Sequence, residues 1–187
     1  MLPIKRWMFA VAISIIASPT FITSTLTVVT AQEADNKAYI TAENKLVVAD
    51  EMAIRQVIAR LNHALDASDY PLYASFFAEE AVFTSDFGNA NGSEKIVLAL
   101  EASRPLITNK RHVAANLVIS GVGDQAKVTS YLVVFERAES LTYVGSAINI
   151  DTLEKRDGQW VVVRHESELD PATLKAIQSA MKAEKAQ

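Results

Sequence analysis

An α+β fold, with helices packed on one face of a curved antiparallel sheet, follows from the order of the patterns along this chain. Helical segments predominate from about residue 50 to residue 102, strand periodicity takes over from residue 112, and short turns join the strand-like segments as a meander requires. In the first segment Ile54, Val57, Ile58, Leu61 and Leu65 recur at helical spacing and make one apolar stripe, for which Asp50 is the expected N-cap. At about 100° per residue His63 falls opposite the stripe, in solvent, whereas Asp66 falls on its flank near the helix end. Ser68-Asp69-Tyr70-Pro71 ends this helix and starts a second, since proline suits a first helical turn; Leu72, Phe76 and Phe77 are its expected buried side. Ala81–Thr84 reads as a short strand, and residues 86–93, with Gly88, Asn89, Asn91 and Gly92, as a loop or hairpin turn. Glu94–Ala102 reads as a short helix with Ile96, Val97 and Leu100 inward.

In the second half, His112–Ser120, Ala126–Arg137, Tyr143–Glu154 and Trp160–Ser167 are the strands. Gly123-Asp124 punctuates the first connection, and Asp157-Gly158 is a strong signal for a two-residue hairpin. Asp170-Pro171 then opens a last helix, with Leu174, Ile177 and Met181 on one side. The main domain spans residues 49–169, and residues 170–187 form a C-terminal helix and tail.

The amino terminus is of a different kind. Lys5 and Arg6 precede an apolar run, Trp7–Ala17, and no further charge occurs before Glu33. Val29-Thr30-Ala31 places small residues where signal peptidase needs them, so residues 1–31 read as a cleaved signal peptide and 32–48 as a polar linker. The alternative is an uncleaved membrane anchor, since the uncharged stretch is long enough to span a bilayer. Five Thr and three Ser between Trp7 and Gln32 disfavour a stable spanning helix. Cleavage removes two of the 18 basic residues and none of the 22 acidic ones, leaving an acidic periplasmic or secreted domain without stable membrane insertion. The net charge of −4 and the lack of a basic run argue against a nucleic-acid partner. With no cysteine, disulfides, thiolate metal sites and a cysteine nucleophile are excluded. No metal site and no cofactor motif are expected: Gly121-Val122-Gly123 lacks the third glycine and the following helix of a dinucleotide site.

Simple alternation puts His112, Ala114, Asn116, Val118 and Ser120 on one face of their strand, a mixed face suited to a partly polar cavity. Histidine serves there as base or acid near neutral pH, and a carboxylate on its second ring nitrogen fixes the tautomer. Asp66 is the acid best placed for that. His165 lies on a strand segment that is apolar on both faces, which suggests a structural role for it.

The run Asn62–Phe83, Arg111-His112 leading a strand with Asn116, Gly123-Asp124-Gln125-Ala126, and Glu154–Trp160 with its Asp157-Gly158 turn occur in the order found in the SnoaL-like branch of the nuclear transport factor 2-like superfamily. The resemblance covers residues 50–168. It implies a cone-shaped α+β barrel, a curved antiparallel sheet wrapped on N-terminal helices around one pocket, and a homodimer. Cofactor-free lyases of that branch, of the scytalone dehydratase and dehydrochlorinase types, use an aspartate near the end of the first helix and a histidine opening a strand, positions matched by Asp66 and His112. By resemblance His112 abstracts a proton next to an activating group and Asp66 orients it. Asn116, Tyr70 and Tyr131 are then candidates for pocket polarity. The dehydratase's second histidine has no counterpart on the strand at 126–137, where Glu136 falls near its place. The implied activity is a cofactor-independent elimination or isomerisation of a small hydrophobic, cyclic molecule. The alternative is a non-catalytic domain that binds a small ligand or supports dimerisation.

Overall fold

The apolar stripe of the first helix is the surface on which the sheet closes. In the structure, a computed structural model that describes residues 43–139 and 142–184, α1 (Val48–Asp66) and α2 (Tyr70–Ala74) lead into the hairpin β1 (Phe77–Ser85) and β2 (Gly88–Asn91). Then come α3 (Ser93–Ala102), α4 (Arg104–Ile107), β3 (Lys110–Val122), β4 (Gln125–Glu136), β5 (Thr142–Arg156), β6 (Gln159–Leu169) and α5 (Pro171–Glu184). The expected signal segment and residues 32–42 of the expected linker lie outside the described residues. The end of that linker sits against the sheet, where Lys45 N–H donates to the Gly121 carbonyl at 2.8 Å. Among the described residues no helix is long and apolar enough to cross a membrane.

Ile54, Ile58, Leu61 and Ala64 of α1 are buried, and His63 is exposed, as its angle on the helix requires. The start of α1 differs from expectation. The N-cap is Val47, without a side-chain cap, and Asp50 lies inside the first turn. Its carboxylate accepts from Lys155 Nζ at 2.7 Å and Trp160 Nε1 at 2.9 Å, so it staples α1 to the β5–β6 hairpin. Those two bonds hold its carboxyl below the usual aspartate range. Asp69 caps α2 by accepting from Leu72 N–H at 3.0 Å, and the phase this sets turns Tyr70, Tyr73 and Ala74 inward and leaves Leu72 exposed, contrary to expectation.

The sheet order is β2-β1-β6-β5-β4-β3. All pairs are antiparallel except β1 with β6, which run parallel because no hairpin joins them: two helices and four strands intervene. Asp157 and Gly158 both have positive φ, 50° and 78°, the primed turn that a two-residue hairpin demands.

The alternation expected of β3 is interrupted. Ala115 pairs with Tyr131 and Val118 with Thr129, so one extra residue is inserted, and Asn116 has φ 51°. Asparagine tolerates this left-handed conformation better than most residues. Before the bulge His112 and Ala114 face inward; after it Leu117 and Ile119 do, and Asn116 and Val118 turn out to solvent. The expected face of His112, Asn116 and Val118 is thereby split. Similar one-residue shifts occur at Val144 of β5 and Val163 of β6.

The last helix is tied to β5 by polar contacts. Ser146 N–H donates to Thr173 Oγ1 at 3.0 Å, Ser146 Oγ donates to the Asp170 carboxylate, and Thr173 packs where any side chain at Gly145 would stand. Leu174 and Ile177 are half-buried.

Asn116→Val forces a β-branched residue into the left-handed region and is expected to cost about 1–2 kcal/mol of stability, with Asn116→Gly close to neutral. Urea unfolding of the two variants checks this; equal midpoints would show that the bulge carries no conformational demand.

Candidate active site

Asp66 is the last residue of α1, and His112 is the third residue of β3, which packs along that helix. His112 Nδ1 stands 2.8 Å from Asp66 Oδ1, and the same oxygen accepts the His112 backbone N–H at 3.0 Å. Each side chain is less than one-tenth exposed. Around them Arg111 Nε lies 3.4 Å from the second carboxylate oxygen, and Arg137 donates to the Asp66 and Lys110 carbonyls, each at 3.1 Å. Burial pushes the Asp66 carboxyl up. The two hydrogen bonds from His112 and the charges on His112 and Arg111 outweigh it and hold the group below the usual carboxylate range. An ionised Asp66 requires a proton on Nδ1 and leaves Nε2 as the working nitrogen.

His112 borders a cavity of about 550 Å³, within the size range of small-molecule sites. Its walls divide by chemistry. Ile58, Leu61 and Leu65 from α1, Leu100 from α3 and Leu132 and Val134 from β4 are apolar. The polar part comes from β5, β6 and the end of β1: Asn149, Asp151, His165, Ser167 and Ser85. Thr173 and Ile177 of α5 also line it. A shallower crevice of about 330 Å³ lies between α1 and β3, bordered by Asp66, Arg111, His63 and again His112, so the pair stands between cavity and crevice.

A second imidazole–carboxylate pair occupies the polar part. His165 Nδ1 is 2.7 Å from Asp151 Oδ1, with both side chains more than nine-tenths buried. Phe83 stacks on the ring at 4.9 Å between centroids and Phe77 meets its edge at 6.3 Å. Beside it Ser167 Oγ donates to Asn149 Oδ1 at 2.7 Å, a bond that does not use the Asn149 amide N–H groups, and both residues line the cavity. Tyr73 lines the same space; burial and the Asp151 charge push its phenol far up, so it stays a protonated donor.

The structure thus brings Asp66 and His112 together, and it disperses the other expected site residues. Asn116 faces solvent at the bulge, and Tyr131 is half-exposed on the outer face of β4. Tyr70 is fully buried in the core with the Arg104 guanidinium 4.9 Å above its ring, and it does not line the cavity. Glu136 is engaged by Lys110 Nζ at 2.5 Å and by the Arg137 and Ala138 N–H groups, bonds that hold it below the usual range as an ionised acceptor. Lys110, not Glu136, borders the cavity. His165, read from sequence as structural, stands in the cavity wall. Counting residue for residue back from the Asp157-Gly158 turn pairs Asp151 with Arg164; the extra residue in β6 moves His165 opposite Asp151. Among the described residues no group of three or more His, Asp or Glu could hold a metal ion.

The family model for the SnoaL-like domain matches residues 47–166. The chain belongs to the SnoaL-like family. Among solved structures, a Nostoc punctiforme protein of unknown function with a cystatin-like fold is 32% identical, with a TM-score of 0.65 over 67% of this chain and 95% of that one. A Catenulispora acidiphila protein is 27% identical, with a TM-score of 0.61 over 68% and 96% of the two chains. A Novosphingobium aromaticivorans protein described as a putative scytalone dehydratase shares the fold at 22% identity, with a TM-score of 0.58 over 66% and 85%. No curated protein matches this SnoaL-like chain in sequence.

Because Asp66 is more acidic folded than unfolded, its contribution is complete above the unfolded value of about 3.9 and is lost as pH falls through the lower folded value. Asp66→Asn is expected to cost on the order of 1–3 kcal/mol at neutral pH, with the gap from wild type closing below about pH 4. Urea unfolding across pH measures it; a gap that stays constant to pH 2.5 would remove the ionised carboxylate as its source.

Proposed function

We propose that this SnoaL-like protein is an exported, cofactor-independent lyase or isomerase acting on a small hydrophobic, cyclic molecule, with His112 as the base and Asp66 as its positioning partner. The observation that carries this reading is the buried His112–Asp66 hydrogen bond at the wall of a largely apolar cavity. His112 Nε2 takes a proton from carbon beside an activating group, while Asp66 keeps the ring in the required tautomer and stabilises the imidazolium that forms. The electron pair of the broken C–H bond becomes the new double bond. In an elimination a leaving group departs from the next carbon; in an isomerisation the proton returns at a different carbon. The apolar walls exclude water and hold the substrate by shape, and positioning of this kind is what proton abstraction from carbon chiefly needs. The motif resemblance and the SnoaL-like family match support the same chemistry, and the resemblance supports a homodimer. The leader-like residues 1–31 support export.

Screening purified protein against small cyclic alcohols, ketones, steroids and halocarbons, by thermal shift and product analysis, tests the reading. His112→Gln is expected to lower turnover of any converted compound roughly 10²–10⁴-fold with little loss of binding. Ligands bound equally by both proteins, with no product from either, would instead establish a non-catalytic binding domain.

A further inference from the structure

The second buried pair, His165–Asp151, is not used by the mechanism above, yet it lines the same cavity. A purely packing histidine has no need of a carboxylate. Taking an ionisable pair out of water between strands costs several kcal/mol per ion before pairing returns it. Asp151 bonds the imidazole through Nδ1, so Nε2 is not engaged by that carboxylate, and the ring lines the cavity. The surroundings of the two histidines differ in kind. His112 pairs across the ladder with Val134 and stands near Leu132 and Leu65, an apolar place suited to a C–H bond. His165 shares its part of the cavity lining with Asn149, Ser167, Ser85 and Tyr73, residues whose polar groups bind oxygen rather than hydrocarbon.

We propose that His165 is a second catalytic residue, the acid that protonates a departing oxygen, and that the substrate class is therefore a cyclic β-hydroxy carbonyl compound. The inference rests on His112 being the base. In the step, His112 Nε2 takes the proton from the carbon between the carbonyl and the hydroxyl-bearing carbon. The C–H electrons form the carbon–carbon double bond, the C–O bond breaks, and the oxygen leaves with its electron pair. His165, entering as imidazolium against the Asp151 carboxylate, gives that oxygen its Nε2 proton, so the products are the conjugated enone and water. His112 has then gained a proton and His165 has lost one, and exchange with solvent water restores both. No redox partner is needed. The Asn149 amide N–H groups hold the hydroxyl before it leaves, and Asp151 is a positioning residue.

The test uses two probes that share a ring and an acidic C–H bond and differ only in the leaving group: β-hydroxycyclohexanone and its para-nitrophenyl ether. Hydroxide needs a proton in order to leave, whereas para-nitrophenoxide does not. In wild type both probes yield cyclohexenone. His165→Gln is expected to slow the hydroxy probe roughly hundredfold and the ether less than about threefold, whereas His112→Gln slows both. Asp151→Asn, which keeps the histidine, repeats the selective loss in milder form if His165→Gln fails to fold. Equal loss on both probes, or loss on neither, in the folded His165 variant overturns the acid role and leaves His112 as base intact. Failure of wild type to release para-nitrophenoxide from the ether overturns the base reading and this inference with it.

Discussion

An even antiparallel ladder shows every second side chain to one face, and a sheet built that way is open and gently twisted. This sheet is interrupted by single extra residues at Asn116 in β3, Val144 in β5 and Val163 in β6. Each shift bends its strand and reverses the alternation beyond it. The curvature that lets the sheet stand away from α1 and enclose a cavity depends on these positions, as does the identity of the residues turned into that cavity. His112 and Ile119 share the inner side of one strand only because an odd residue lies between them, and His165 meets Asp151 only because β6 carries one more residue than β5.

The two imidazole–carboxylate pairs have the same local geometry and different supports. Asp66 terminates a helix, where its main-chain carbonyl accepts from Arg137 and its carboxylate is approached by Arg111. That pair therefore has charge on its solvent side and hydrocarbon on its cavity side. Asp151 and His165 are cross-strand neighbours in the middle of the sheet, packed by Phe83 and Phe77 and more deeply enclosed. Low polarity around an ionisable pair strengthens its attraction and raises the cost of losing either partner, which rigidifies both side chains. Rings held this way present Nε2 at a fixed place, and fixed placement separates a base that works from one that is merely present.

Closure of the cavity falls to elements that contribute little to the core. α5 reaches it through Thr173 and Ile177 and is held by the Ser146, Asp170 and Thr173 contacts to β5. Phe87 and Asn89 of the β1–β2 hairpin also reach the cavity. A core built on α1 and the sheet leaves these segments free to differ among proteins that share the SnoaL-like fold, consistent with a fold that does not by itself specify a substrate.

By itself the sequence determined the elements and their order, since helical stripes, strand alternation and the Asp157-Gly158 and Asp170-Pro171 signals are local properties of a few neighbouring residues. It also determined Asp66 and His112 as candidates, through the angle of one on its helix, the place of the other at a strand start, and the family resemblance. The early start of α1, the inward turn of Tyr70 and Tyr73 and the outward turn of Leu72 were illegible, because capping and distant partners such as Lys155 and Trp160 set them. Only the tertiary structure decided that Asn116, Tyr131, Tyr70 and Glu136 stand away from the cavity and that His165 stands in its wall. The physical reason is that a bulge changes the face of every residue beyond it while leaving almost no mark on composition or periodicity, so a one-residue register shift is settled by the packing of whole strands.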